Sequence, residues 1–154
     1  MKRIMVMGVG NLLLRDEGVG VHVIRLLETM NLPPEIELVD GGTHTYDLLD
    51  FFSEADLCFV IDAMEAGGEP GTVYRAPLEE LGLEPKRDLQ SLHDLQFAEA
   101  MEMLRLMGHS PQVVVYGVQP HTIELGLELT PVVAEQVPRV AAMIQEEINS
   151  LFNN

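Results

Sequence analysis

Cysteine is nearly absent: Cys58 is the single one in 154 residues, so no disulfide can form within the chain. The N-terminus opens on a strand-like run rather than on a charged segment followed by an apolar signal, and the expected compartment is the cytoplasm. Basic residues are also scarce, nine against 25 acidic ones, for a net charge of -16. Such a field repels phosphate backbones and anionic lipid, which argues against nucleic acid and membrane as partners. It suits a basic peptide, a metal ion or a metal-carrying protein, and charge by itself does not choose among them. No apolar run approaches the roughly 20 residues that cross a bilayer. No HExxH helix, Cys/His cluster or G-x-S-x-G elbow occurs. Cys58 lies in an apolar run with no base beside it, which leaves little ground for a serine or cysteine nucleophile. The length fits one globular domain over 1–154 with a real core, expected to be monomeric.

What is present alternates. Strand-like runs recur at Lys2 to Met7, Ile36 to Val39, Leu57 to Ile61, Thr72 to Arg75 and Val113 to Val118. Helical patterns separate most of them: about Gly18 to Met30, Tyr46 to Phe52 and His93 to Met107. A last helix starts with Thr130 as N-cap and Pro131 at N1, and Pro138 should kink or interrupt it. Parallel strands need crossovers, usually helices, so the pattern predicts a three-layer α/β fold: a mostly parallel, twisted five-stranded sheet with helices on both faces. The Thr72 to Arg75 strand follows its predecessor through AGGEPG, too short for a helical crossover, and is expected to be antiparallel or at an edge. The loop Pro77 to Gln90 is expected to flank a cleft.

Ligands of open parallel sheets bind beyond the carboxyl ends of the strands. After the first strand come Asn11, Asp16 and Glu17; after the second, Asp40, Gly41, Gly42, Thr43 and His44; after the third, Asp62; after the fifth, Gln119 and His121. Acids at a helix start are favourable in themselves, and Asp-Gly pairs form turns, so Asp16, Glu17 and Asp40 each have a bland explanation. Asp62 ends a run apolar enough to be buried on both faces, where an acid needs partners. His93 falls at a helix N-terminus, which disfavours imidazolium and leaves a neutral ligand near pH 7. Together Glu17, Asp62 and His93 would make a site with open positions, suited to a divalent first-row metal such as nickel or zinc. A dinucleotide fingerprint is imitated by Gly8, Gly10 and Asp40, but Leu13 replaces its third glycine, and Asp16 and Glu17 would oppose a pyrophosphate.

The combined pattern G-x-G-N-x-L-x-x-D-E-G-x-G, then DGGT, then an apolar strand ending in Asp-Ala, then Ser-x-His before a helix, resembles the nickel-iron hydrogenase maturation endopeptidases. The resemblance runs from Met5 to the LTP that starts the last helix. It implies a cytoplasmic peptidase that trims a C-terminal extension from the hydrogenase large-subunit precursor once nickel has been inserted. It also implies that Glu17, Asp62 and His93 contact nickel carried by the substrate, with no permanent cofactor. Water would then be activated by a carboxylate, Asp16 or Asp40, or polarised by the nickel itself. Gly41 and Gly42 would admit an extended substrate strand, although a plain turn explains them equally. A non-enzymatic nickel chaperone or metal-dependent docking module would use the same three ligands and the same acidic surface.

Overall fold

The computed structural model describes residues 3–42, 52–81 and 102–153. Strands β1 (Ile4–Val9), β2 (Glu37–Gly42), β3 (Leu57–Ala63), β4 (Val73–Pro77) and β5 (Gln112–Val118) make one sheet in the order β2-β1-β3-β5-β4. Strands β1, β2, β3 and β5 are mutually parallel, and β4 lies antiparallel to β5 at the edge, as the short AGGEPG connection requires. The described helices are α1 (Val19–Leu27), α2 (Pro131–Ala134) and α3 (Gln136–Phe152). Residues 102–106 are also helical, whereas the rest of the pattern from His93, and Tyr46 to Phe51, lie outside the described residues. The same holds for 82–90 of the expected cleft loop, which begins with a 3-10 turn, Leu78–Leu81.

Alternation along the strands sorts the side chains into two cores. Ile4 and Val6 of β1 and Leu57, Phe59 and Ile61 of β3 pack with Val23, Ile24 and Leu27 of α1 and Val140, Ile144 and Ile148 of α3. Met5, Met7 and Val9, with Cys58 and Val60, face the other way, against Phe52, Leu78 and Leu104. Cys58 is thus core, and burial pushes its thiol pKa up, which leaves it unreactive. Among the described residues no helix is long and apolar enough to cross a membrane.

Pro138 acts where expected but three residues early. It has no N–H for the Ala134 carbonyl, and the helical run is interrupted at Glu135, whose φ of -62° and ψ of -25° keep the break shallow. The far end of the sheet is tied to α3 by one polar cluster. Buried Tyr116 donates its hydroxyl to Glu147, and Arg75 of β4 reaches Glu147 through Nε and Nη2. Burial first, and then the bond to Glu147, raises the Tyr116 pKa, so the phenol stays a donor at any physiological pH. Tyr116→Phe should lower unfolding stability by about 1–2 kcal/mol, at the low end for a hydrogen bond to a charged group because Glu147 is partly exposed and keeps Arg75. Urea titration measures it, and a loss below about 0.3 kcal/mol would mean that Arg75 satisfies Glu147 unaided.

Candidate functional site

The strand order fixes where a site can form. From β1 the chain moves to β2 on one side of the sheet and then returns to β3 on the other, so the connections diverge between β1 and β3 and leave a crevice at their carboxyl ends. Residues following β1 and ending β3 line that crevice. In addition, α1 is drawn very close to the sheet. A Cβ on Gly20 would stand 2.1 Å from the Ile61 carbonyl oxygen, and one on Gly8 2.2 Å from that of Gly20, so the crossing is open to glycine alone.

Gly10 carries the next step. Its φ is +131°, and a Cβ there would stand 1.9 Å from the Glu17 carbonyl oxygen and 3.5 Å from Asp62 Oδ1. The Glu17 main chain and the Asp62 carboxylate therefore both pack on the same glycine. Both are half-buried. Asp62 Oδ1 also accepts the Ala63 N–H at 2.8 Å, which fixes the carboxylate at the end of its strand. His93, the third residue of the expected trio, lies outside the described residues, and among those described no group of three metal-ligating side chains gathers.

Asp16 and Glu17 do not sit on the first turn of α1. They occupy a separate 3-10 turn, Arg15–Gly18, and the two carboxylates part company there. Asp16 is fully buried and accepts four hydrogen bonds: Oδ2 from the His121 and Thr122 N–H groups at 2.9 Å and from Thr130 Oγ1 at 2.8 Å, and Oδ1 from the Thr130 N–H at 2.8 Å. Burial by itself would raise its pKa, but the donors from Thr122, Thr130 and His121 together outweigh it and hold the carboxyl below the usual aspartate value. A buried, fully bonded anion with a lowered pKa is a poor proton acceptor, so Asp16 is a scaffold group rather than the water-activating base expected above. Thr130 keeps the backbone role of an N-cap, its carbonyl accepting from Val133 and Ala134, while its hydroxyl is diverted to Asp16.

The result is a staple between the loop after β1 and the loop after β5. Arg15 Nε donates to the Glu128 carbonyl at 3.0 Å, Nη1 lies 3.6 Å from Glu124, and the Arg15 N–H reaches the Gly126 carbonyl at 3.0 Å. Arg15 holds a φ of 47°, a left-handed conformation that costs an L-residue about 1–2 kcal/mol and persists because these contacts impose it.

The remaining strand-end residues stand apart from the Glu17 and Asp62 pair. Asp40, in register with Gly8, is exposed and lies two strands from β3, about 10 Å by sheet spacing. Asp40 to Gly42 are not a turn: they belong to β2, and Gly41 is the extra residue of a bulge between the Gly8–Asp40 and Val9–Gly42 pairs. Its missing side chain makes room for Met7 and Gly8 of β1, each 3.0 Å from a built Cβ. Buried Gln119 accepts from the Ala66 N–H and from Tyr74 hydroxyl, both at 2.9 Å, and so ties down the loop after β3. The His121 ring is exposed, and Thr43 and His44 lie outside the described residues.

The sequence and the fold have counterparts among known proteins. The sequence model of the hydrogenase maturation protease family matches residues 21–147. The hydrogenase expression/formation protein HupD of Rhodobacter capsulatus is 35% identical over 152 residues, covering 97% of this chain and 72% of HupD. The hydrogenase 2 maturation protease of Escherichia coli is 34% identical over 88% of this chain and 84% of its own length. Among solved structures, the hydrogenase maturating endopeptidase HybD from E. coli superposes with a TM-score of 0.88 at 32% identity, over 96% of this chain and 93% of HybD. The chain belongs to the hydrogenase maturation protease family and is an endopeptidase of hydrogenase maturation.

Proposed function

We propose that the protein removes the C-terminal extension of a nickel-iron hydrogenase large-subunit precursor after nickel insertion, in the cytoplasm and as a monomer. The observation that carries this reading is that the Glu17 main chain and the Asp62 carboxylate both close on Gly10, which puts the two residues at the β1/β3 crevice. With the Glu17 side chain turned into the crevice, it and Asp62 would offer two hard oxygen donors, and an imidazole from His93 would complete a set with open positions. Without thiolates, such a set binds free metal weakly, which suits inspection of nickel already held by a substrate. Nickel is then part of the substrate, and the residues inspect it before the adjacent peptide bond is cut.

Hydrolysis needs a water placed against that bond and a group that takes its proton. Nickel in the precursor polarises the water or the carbonyl. Asp40 is exposed and outside the staple, but β2 lies about 10 Å by sheet spacing from β3, so Asp40 would take that proton only through an intervening water or substrate group.

Incubation of purified precursor, nickel-loaded or nickel-free, followed by mass spectrometry tests the reading. Loss of a C-terminal peptide from the loaded form alone is the expected result. Cleavage of both forms would remove nickel from recognition. If the protein instead holds nickel tightly by itself and leaves the precursor whole, it is a chaperone or docking module.

A further inference from the structure

The stapled loops carry more than the site. Leu13, Ile123, Leu125 and Leu127 are 58%, 52%, 84% and 68% exposed, on the two loops that Asp16 joins. Large aliphatic side chains exposed singly are ordinary, but four on two neighbouring loops form a patch. The loops are rigid where they meet: Leu14 and Gly126 form a parallel β-bridge, the Gly126 N–H bonds the Leu13 carbonyl at 2.9 Å, and buried Asp16 takes four donors beneath. Rigid aliphatic side chains lose little entropy on docking. Leu13 belongs to the same connection between β1 and α1 as Gly10 and Glu17.

Charge selects the occupant. Glu124 and Glu128 are exposed and alternate with Ile123, Leu125 and Leu127; Arg15, 3.6 Å from Glu124, offsets part of that charge, and the aliphatic surface keeps a net acidic rim through Glu128. A second copy, itself at -16, would be repelled, as would an anionic lipid surface. We propose that this patch is a docking surface for the body of the precursor protein, on an aliphatic area rimmed by lysine or arginine, beside the segment that is cut. This rests on the reading of the substrate given above. Docking here would hold the precursor while its C-terminal segment enters the crevice, and would appear in affinity rather than in the chemical step.

The test measures binding of the purified nickel-loaded precursor to immobilised protein, for wild type, Leu125→Asp and Leu127→Asp. Their exposure predicts unchanged thermal stability, which is checked first. Kd should rise about tenfold or more for each variant, roughly 1.4 kcal/mol, with kcat at saturation within about twofold. Wild-type affinity should fall with added salt as the rim charges are screened. Unchanged Kd in both variants overturns the proposal. So does a wild-type dimer in sedimentation that Leu125→Asp converts to monomer, since the patch would then face a second copy. Tight binding without any cleavage would overturn the reading of this precursor as the substrate, while the docking surface would still be decided by Kd.

Discussion

Asp16→Asn lowers unfolding stability by about 3 kcal/mol and the Tm by roughly 10 °C, the largest stability loss expected from any near-isosteric change at the site. Four donors converge on two carboxylate oxygens in a fully buried place. An asparagine offers one oxygen and presents an NH2 from which the Thr130 hydroxyl can accept but the backbone N–H donors cannot, so at least one buried N–H is stranded, at about 1–3 kcal/mol each. The relaxed staple also frees Arg15 from its left-handed conformation, which recovers part of the loss. The pH dependence has a definite sign. The folded-state pKa of Asp16 is lowered, so its contribution is complete above the unfolded value, about 3.9, and disappears as pH falls through the folded value. Wild type and variant should therefore differ by a constant amount at neutral pH and converge only below about pH 4. Urea titrations from pH 3 to pH 7 measure both features. A difference under 0.5 kcal/mol at neutral pH would show that the staple is dispensable.

The same residue shows which parts of this molecule a sequence can disclose. Strands and their order of appearance are legible because side chains alternate between two buried faces and because helical runs separate them, which requires a parallel sheet. The antiparallel edge strand is legible from the length of AGGEPG alone. Glu17 and Asp62 could be nominated because strand ends collect ligands, a rule that needs topology and no contacts. The same rule selects Asp16, but not the four buried bonds it makes. Its donors are 105 to 114 positions away, and no local pattern distinguishes an acid facing solvent from one buried beneath a distant loop. Thr130 hid the partnership in turn, since a threonine before a proline reads as a self-sufficient N-cap. DGGT misled for a related reason: glycine serves turns, bulges and close approaches alike, and only the register with β1 identifies the bulge.

Staple and crevice form one mechanical unit. The four bonds to Asp16 fix the 3-10 turn, the turn carries Glu17, and the Glu17 carbonyl packs on Gly10 beside Asp62. Asp16 thus sets where Glu17 stands without touching what binds there. Local order of this kind keeps donor groups in place before a ligand arrives and reduces the ordering cost of binding.

Glu17→Gln and Asp62→Asn are each expected to reduce kcat/KM for processing of the nickel-loaded precursor by about a thousandfold or more, with the fold intact. Each change removes a negative charge at nearly constant volume. If these carboxylates hold the substrate nickel in the crevice, replacing one with a neutral amide weakens several kcal/mol of metal interaction, and each 1.36 kcal/mol is worth about tenfold in rate. Stability should hardly change. The asparagine carbonyl at 62 can still accept the Ala63 N–H, and Glu17 is half-buried, so its amide keeps access to water. Circular dichroism and Tm establish the fold, and mass spectrometry of the precursor gives the rate. Affinity provides the readout that a structural role would not move: wild type should prefer nickel-loaded over nickel-free precursor, and both variants should lose that preference while retaining the affinity for the nickel-free form. Normal cleavage by both variants would remove Glu17 and Asp62 from the mechanism, and equal loss of affinity for both precursor forms would make them determinants of shape rather than of metal recognition.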